Sequence, residues 1–248
     1  MHTFFVNSAQ KSQPGDVILL NEADDCFHIA RSLRMAVGER IKISDGESQY
    51  VCTLTSIHDK ECEARVCEVL GRIGEPSYCV TVYQGLPKGD KLETVIQKST
   101  ELGAVGIVPF YSEFCTVKPK DSAGEAKKRT RRQAIAKEAA KQCGRTVVPY
   151  VGEVITFTAL LEKIGESDVA IFCYESEEKE TLGELLDRTD LRKKRIAIIV
   201  GSEGGFSERE ASAIRERGAA CVSLGGRILR TETAALYVLS ALSCEYEL

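Results

Sequence analysis

Short apolar runs alternate with helical patterns from Cys79 onward, and this alternation constrains the fold more than any other feature of the chain. Strands are predicted at 79–85, 106–110, 170–174, 196–200 and 221–224, and helices at 92–102, 123–142, 180–188, 207–217 and 233–244. Strands separated by helices pair in parallel, because each helix carries the chain back across the sheet. The pattern therefore predicts a mostly parallel α/β domain. The last helix is apolar almost all round, which predicts burial in the domain or against a second subunit.

The first seventy residues follow a different pattern, with short strands and a single helix. Strands are predicted at 4–6, 17–20, 41–43, 50–56 and 63–70. The helix is expected to begin at Asp24 or Asp25 and to end near Val37, before Gly38. Short strands with turns at this spacing are typical of a small β-barrel. Two glycines and one proline interrupt the apolar pattern between residues 71 and 77, so two domains are predicted, at 1–73 and 74–248.

Composition argues against several classes of protein. The ten cysteines are scattered without a CxxC pair and the three histidines are far apart, so neither a disulfide framework nor a metal site is predicted. No apolar run approaches the roughly 18 residues of a membrane helix, and the first residues lack the basic and apolar regions of a secretion signal. A cytoplasmic protein without metal or membrane contact is expected. With a net charge of −4, nucleic-acid binding would depend on local basic patches.

Two glycine-rich segments each follow a predicted strand and lead into a predicted helix. The first glycine loop, 201–206, follows the apolar run 196–200 and precedes a capping box at Ser207. The second glycine-rich segment, 224–234, opens the last helix, and its first part, 224–230, is the second glycine loop. Because open α/β sheets bind ligands outside the carboxyl ends of their strands, the loops are predicted to form two walls of one pocket. Neither matches GxGxxG or GxxxxGK[ST], which argues against a dinucleotide or nucleoside-triphosphate site.

The order and spacing of these loops resemble the signature of SPOUT methyltransferases, and the whole chain resembles the RsmE family. The blocks that carry this resemblance are 4–6, His28 with 33–34 and 37–38, 86–91, 97–103, Pro109, 138–145 and the two glycine loops. The chain departs from the family pattern at three places. Ser202 stands where proline is usual, Thr3 stands where arginine is frequent, and the tryptophan common near Arg132 is absent.

The resemblance implies an enzyme that uses S-adenosylmethionine to methylate N3 of a specific uridine in 16S ribosomal RNA of the small ribosomal subunit. It implies a PUA-like β-barrel that helps to hold RNA, a SPOUT-type α/β domain with a C-terminal trefoil knot, and a homodimer with its active site near the subunit contact. The residues it assigns to the S-adenosylmethionine site are Gly201, Glu203, Gly204, Gly205, Leu224, Gly225, Ile228, Leu229, Thr233 and Ala234. Such a site needs no metal.

Two charged residues beside the second glycine loop are the candidates for catalysis. Uracil N3 is a poor nucleophile until its proton leaves, so the enzyme must accept that proton or stabilise the resulting anion. Arg230 is predicted to stabilise negative charge on the base carbonyls. Glu232 is predicted either to accept the proton or to position Arg230. The target base must also leave its stack to reach the pocket.

Basic residues are the candidates for contacts with RNA phosphates. One group combines Arg31 and Arg34, on the predicted first helix, with Lys88 and Lys91, and the other is the dense run 127–145. The residues assigned to RNA binding are Arg31, Arg34, Lys88, Lys91, Lys98, Arg131, Arg132 and Arg145. Charge runs on helices are often only solvated faces, and that alternative applies to part of the set. Phosphate contacts would make RNA binding steeply dependent on salt.

Three other functions compete with this interpretation. A SPOUT methyltransferase acting on a ribose hydroxyl or on another ribosomal or transfer RNA position would yield a different modified nucleoside. A non-catalytic RNA-binding relative is disfavoured by the intact glycine loops and by Arg230-Thr231-Glu232. A dinucleotide-dependent oxidoreductase is disfavoured by the missing GxGxxG fingerprint.

Overall fold

The computed structural model describes residues 1–6, 12–117, 122–175 and 180–248. The chain forms two compact units. The first comprises Met1–Glu75 together with the returning segment Ala140–Val148, and the second comprises Pro76–Ala139 and Pro149–Leu248. The predicted boundary lies between residues 73 and 74, and the return of residues 140–148 to the first unit was not predicted. The functional division at that boundary stays a prediction.

The first unit is built on a five-stranded sheet among its described residues. Its strands are β1 Thr3–Phe5, β2 Val17–Leu20, β3 Arg40–Ser44, β4 Gln49–Ile57 and β5 Cys62–Gly71, in the order β1-β3-β4-β5-β2. The β1 strand is parallel to β3, and the other neighbours are antiparallel. Apolar side chains from the strands and the short helix form a separate core that includes Phe4, Ile29 and Ile41. This arrangement agrees with the predicted β-rich domain.

The helix of the first unit is shorter and less regular than predicted. Helix α1 covers Ala23–Phe27 and continues as a π-helical turn over His28–Ser32. The expected end near Val37 is wrong, because Arg34 has a positive φ of 52°, which no right-handed helix accommodates. Arg34 therefore lies beyond the helix, whereas Arg31 lies on the π-helical turn.

The returning segment completes the polar interior of the first unit. The Ser44 hydroxyl donates to the Thr146 carbonyl at 2.6 Å, and the Gln49 amide donates to the Gly144 carbonyl at 2.8 Å. Arg145 forms an ion pair with Glu75 at 2.6 Å, and both side chains are almost fully buried. Removing one member of such a pair leaves a buried charge uncompensated, so the segment is a structural part of this unit.

The second unit is a parallel α/β fold, as predicted. The described residues form a six-stranded sheet in the order β11-β9-β10-β6-β7-β8. Its strands are β6 Cys79–Gly85, β7 Gly106–Phe110, β8 Tyr150–Val151, β9 Val169–Cys173, β10 Arg195–Val200 and β11 Ala220–Val222. The helices are α2 Lys91–Glu101, α3 Ser122–Cys143, α4 Phe157–Gly165, α5 Leu182–Arg188, α6 Glu208–Glu216 and α7 Thr231–Glu247. All five strand pairings in this sheet are parallel.

Two elements of this unit were not predicted, and the last helix is only partly buried within the unit. Strand β8 has only two residues, and helix α4 is capped by the Thr156 side chain, which accepts from the Ala159 N–H. Helix α7 packs against α2 and β10 through a face that includes Leu239. Its other face is solvent-exposed at Tyr237.

Candidate active site

Three neighbouring strands of the parallel sheet end at the same level. Val200 at the end of β10 and Val222 at the end of β11 both lie opposite Cys173, at the end of β9 between them. Adjacent strands are about 4.8 Å apart, so the two glycine loops leave the sheet within about 10 Å of each other. The predicted proximity of the two loops is therefore seen in the structure.

A cavity of about 740 Å³ lies at these strand ends. Its size falls within the roughly 300–1,000 Å³ of small-molecule sites. The predicted site residues that line it are Gly201, Glu203, Gly205, Leu224, Gly225, Ile228, Leu229, Arg230, Glu232 and Ala234. Two predicted residues are not among the lining residues. A side chain at Gly204 would meet the Phe114 Cβ at 2.8 Å, and Thr233 is exposed on α7.

The first glycine loop is pressed closely against the end of β6. A Cβ atom at Gly85 would lie 2.4 Å from the backbone nitrogen of Ser202, far inside van der Waals contact. The loop itself is a tight turn in which the Gly205 N–H donates to the Ser202 carbonyl at 3.0 Å. Gly205 has a φ of +67°, a conformation that disfavours side chains. These glycines are required by the backbone packing as well as by access to a ligand.

A buried polar cluster joins this loop to the start of α7. The Gln84 side-chain amide donates to the Gly201 carbonyl at 3.1 Å and to the Thr231 hydroxyl at 2.7 Å. The Thr231 hydroxyl in turn donates to the same Gly201 carbonyl at 2.5 Å. Gln84 is fully buried and was not singled out in the sequence analysis. The sequence signal that could have identified Gln84 is its polar side chain at the end of an otherwise apolar strand.

Glu203 connects the first glycine loop to the start of α2. Its carboxylate accepts from the Lys91 ammonium at 2.7 Å and from the Lys88 backbone N–H at 3.1 Å. Burial opposes ionisation of Glu203, but these hydrogen bonds and the charge of Lys91 outweigh it and lower the pKa of the carboxyl. Lys91 also lines the cavity, so this predicted RNA contact is engaged with the first glycine loop.

The two predicted catalytic residues flank the first residue of α7. Arg230 is the N-cap, with extended φ and ψ of −64° and 152°, and its side chain is exposed at the cavity. Glu232 lies in the first turn, and its Oε2 atom is buried without a hydrogen-bond partner among the described residues. Among those residues, no ion pair links Arg230 and Glu232. The structure thus gives no support to the alternative in which Glu232 positions Arg230 through such a pair.

A third wall of the cavity was missed by the sequence analysis. It consists of Cys173, at the end of β9, and of Tyr174, Glu175 and Thr181, which follow that strand. Desolvation, with a smaller contribution from neighbouring Cys221, raises the pKa of the Cys173 thiol to about 12. Cys173 is therefore a protonated wall residue and not a thiolate. The signal for this wall was the predicted strand at 170–174, but only the strand order places its end between the two loops.

The predicted RNA-binding residues occupy different environments. Four of them form ion pairs at or near the surface: Arg31 with Asp59, Lys98 with Glu101, Arg131 with Glu93, and Arg132 with Glu125. Arg34 and Lys88 are exposed. Arg145 needs a correction, because its side chain is only 2% exposed and is held by Glu75. It is an internal structural residue of the first unit and has no free face for a phosphate.

Two further observations concern the described part of the chain. No helix there has both the length and the apolar character to cross a membrane. Within the same residues, no group of three or more histidine, cysteine, aspartate or glutamate side chains lies close enough to hold a metal ion.

Comparison with known proteins identifies the family. A family model described as an RNA methyltransferase domain matches residues 75–243, and one described as an RNA methyltransferase PUA domain matches residues 20–67. The chain is 37% identical over 231 residues to the ribosomal RNA small subunit methyltransferase E of Bacillus subtilis, which covers 91% of this chain and 89% of the relative. The chain belongs to the methyltransferase E family. The resemblance to RsmE noted in the sequence is thereby confirmed.

Other members of the methyltransferase E family match the chain over most of its length. The Mycobacterium bovis relative is 30% identical over 223 residues, covering 89% of this chain and 84% of the relative. The crystal structure of the Neisseria gonorrhoeae protein of this family, bound to S-adenosyl methionine, is 28% identical. It has a TM-score of 0.84 and covers 99% of this chain and 98% of its own. The predicted SPOUT-type α/β fold with an N-terminal PUA-like unit is confirmed, and the trefoil knot stays a prediction.

The serine at position 202 is a departure of this chain from the pattern expected for the methyltransferase E family. The structure buries the Ser202 side chain, which is 7% exposed, beside the cavity. Its hydroxyl oxygen has no hydrogen-bond partner among the described residues. The cavity therefore has one unpartnered oxygen in the first glycine loop, from Ser202, and another at the start of α7, from Glu232.

Proposed function

We propose that this chain transfers a methyl group from S-adenosylmethionine to N3 of a specific uridine in 16S ribosomal RNA of the small ribosomal subunit. The observation that carries the proposal is the single cavity formed by two glycine loops at the ends of three parallel strands, in a member of the methyltransferase E family. That location is where parallel α/β sheets bind ligands.

The cavity fits S-adenosylmethionine in both shape and chemistry. Glycine backbone from both loops allows close approach of a ligand, while Leu224 and Leu229 offer apolar contact for an adenine ring. The unpartnered oxygens of Ser202 and Glu232 offer hydrogen bonds that nothing else among the described residues satisfies. When bound, S-adenosylmethionine supplies an activated methyl group on a sulfonium sulfur. The protein supplies the placement of the groups and the electrostatic environment.

The chemistry assigned to the start of α7 is removal of the N3 proton and stabilisation of the resulting charge. The Glu232 carboxylate accepts the proton as the N3–H bond breaks, and the N3 electron pair then forms the bond to the methyl carbon. The bond from that carbon to sulfur breaks, and the electron pair leaves with a neutral thioether. Arg230 and the positive end of the α7 dipole stabilise negative charge on the uracil carbonyls.

The proposal includes a homodimer, a cytoplasmic location and the use of exposed basic residues to hold RNA. The exposed face of α7 around Tyr237, and the apolar Ile228 beside the cavity, support a subunit contact near the active site. Arg34 and Lys88 are the exposed candidates for phosphate contacts. When RNA binds, a phosphate would replace the carboxylate partner of each of the ion-paired candidates, which are Arg31, Lys98, Arg131 and Arg132.

The central experiment compares Arg230→Ala with Arg217→Ala, a control at an exposed arginine outside the cavity. RNA from cells that lack the native enzyme and carry each variant is digested and analysed for 3-methyluridine by mass spectrometry. Arg230→Ala is expected to reduce kcat by about 10²–10³-fold, the usual effect of removing one oxyanion-stabilising donor. S-adenosylmethionine affinity, measured by calorimetry, is expected to change by less than about threefold, because adenine and backbone contacts dominate binding.

Three outcomes of this experiment would contradict the proposal. A methyl group found on ribose or on transfer RNA would move the chain to another SPOUT activity. A wild-type protein that binds no S-adenosylmethionine would favour the non-catalytic alternative. Undiminished methylation by Arg230→Ala would remove that arginine from the mechanism while leaving the reaction itself intact.

A second experiment tests Glu232 as the proton acceptor. Glu232→Gln keeps the size of the side chain but removes its ability to accept a proton, so kcat is expected to fall by about 10²–10⁴-fold with little change in S-adenosylmethionine affinity. Glu216→Gln, at an exposed glutamate at the end of α6, is the matched control. If Glu232→Gln retained the rate of the control, the proton would have to leave by another route.

A further inference from the structure

A buried amide and a buried hydroxyl meet at one carbonyl oxygen beside the cavity. The Gly201 carbonyl accepts from the Thr231 hydroxyl and also from the side-chain amide of Gln84. The Gln84 amide is also within hydrogen-bond distance of the Thr231 oxygen and of the Gly85 carbonyl at 3.0 Å. Gln84 is fully buried and Thr231 is 8% exposed. Three segments distant in sequence, at 84–85, 201 and 231, are therefore joined in one network.

Every donor of this network is used, whereas the side-chain oxygen of Gln84 is buried without a hydrogen-bond partner among the described residues. A threonine hydroxyl has one hydrogen, which goes to Gly201, and its oxygen accepts from Gln84. The two amide hydrogens of Gln84 are shared among three acceptors. Loss of the Thr231 hydroxyl removes one of the two hydrogen bonds that hold the Gly201 carbonyl, and it leaves the Gln84 amide with only the carbonyls of Gly85 and Gly201 as acceptors.

The network connects the two functional halves of the proposed active site. Gly201 opens the first glycine loop and lines the cavity, whereas Thr231 stands between Arg230 and Glu232. Resting on the proposed function, we infer that Thr231 and Gln84 are positioning residues that hold the start of α7 in register with the first glycine loop. They set where Arg230 and Glu232 stand relative to the bound methyl donor, and neither is assigned to the chemical step itself.

This role differs from simple stabilisation in its kinetic signature. The start of α7 contributes to one of three walls of the cavity, so a small shift of α7 leaves the first glycine loop and the wall after β9 in place to bind S-adenosylmethionine. The chemical step is more sensitive, because a misplacement of about 1 Å can reduce the rate by about 10²-fold. A positioning network therefore affects kcat much more than KM for S-adenosylmethionine. A network that only stabilised the fold would lower the melting temperature and leave the kinetics of the folded enzyme unchanged.

The test compares Thr231→Val, which keeps the shape but loses the hydroxyl, with Thr231→Ser, which keeps the hydroxyl. Thr231→Val is expected to lower kcat by about 10–100-fold and to change KM for S-adenosylmethionine by less than about threefold. Thr231→Ser is expected to restore most of the rate. Thr100→Val is the control, because Thr100 is also fully buried and its hydroxyl donates to the Ile96 carbonyl within α2. It should lower stability without changing kcat.

A double-mutant cycle tests whether the two side chains act as one unit. Gln84→Met removes the amide at similar length, and its effect on kcat should not add to that of Thr231→Val. The inference is overturned if Thr231→Val keeps kcat within about threefold of wild type, if Thr231→Ser is no better than Thr231→Val, or if the two effects multiply. A wild-type enzyme that binds S-adenosylmethionine but leaves the RNA unmodified would instead refute the proposed reaction.

Discussion

Replacing Gly85 by alanine places one methyl group against the backbone of the first glycine loop. The added Cβ would lie 2.4 Å from the Ser202 nitrogen and 2.8 Å from the Gly201 carbonyl carbon. Ordinary van der Waals contact begins near 3.4 Å. The loop must therefore retreat by about 1 Å, because no flexible side chain is available to move aside.

Displacing the loop lowers the free energy of unfolding in two ways, through overpacking and through weakened hydrogen bonding. Overpacking a close-packed site costs about 1–3 kcal/mol, and weakening the hydrogen bond from Gln84 to the Gly201 carbonyl adds about 1 kcal/mol. The free energy of unfolding should therefore fall by about 2–4 kcal/mol. For a chain of this length, that corresponds to roughly 4–16 °C in melting temperature. S-adenosylmethionine affinity should fall by about 10–100-fold, because a site tolerates displacements of only about 0.5 Å.

Gly165→Ala is the matched control for Gly85→Ala. A Cβ at Gly165, the last residue of α4, meets no atom within 4 Å. The two variants are compared by thermal unfolding and by calorimetric titration with S-adenosylmethionine. If Gly85→Ala matched the control in both measurements, the first glycine loop would not be held against β6 as described, and the reasoning about the cavity wall would fail.

Four further predictions concern other parts of the chain. Because the pKa of Glu203 is lowered in the folded protein, its stabilising effect is complete above the pKa of an unfolded glutamate and is lost as the pH falls through the lower folded pKa. The difference in melting temperature between wild type and Glu203→Gln should therefore vanish in acid. Iodoacetamide at pH 8, read by peptide mass spectrometry, should label the exposed Cys67 but not Cys173, whose pKa is about 12; labelling of native Cys173 would contradict this raised pKa. Arg145→Ala should lower the free energy of unfolding by about 3–5 kcal/mol in chemical denaturation, and a change below about 1 kcal/mol would refute the buried pair. Arg34→Ala should leave the free energy of unfolding unchanged. It should make the plot of log affinity for RNA against log salt concentration shallower by about 0.7–0.9 in slope. An unchanged slope would show that Arg34 does not contact an RNA phosphate.

The fold of the second unit was largely predictable because its signals are local. Apolar strands such as 196–200 and the capping box at Ser207 carry their own patterns, so each element could be placed from neighbouring residues. Helix α4 also carried a local signal that was overlooked, since Thr156 caps it and Leu160 and Ile164 are spaced four residues apart on its buried face. Strand β8 has too few residues to show a period.

The parts of the site that were missed depend on contacts between distant segments. The wall after β9 belongs to the cavity only because β9 lies between β10 and β11, and strand order cannot be derived from periodicity. The partners of Gln84 lie 117 and 147 residues away. Arg145 looked like one more basic residue of the dense run 127–145, and only its buried contact with Glu75 reveals a structural role.

The returning segment has a practical consequence for anyone who wishes to produce the first unit separately from the second. A fragment ending near residue 75 would lack the carbonyls that Ser44 and Gln49 donate to, and it would leave Glu75 buried without its arginine. The first unit is consequently complete only after the ribosome has translated well past the start of the second. An excised version is expected to need residues 140–148 grafted back through a linker, because cutting at the apparent domain boundary removes these contacts and destabilises the product.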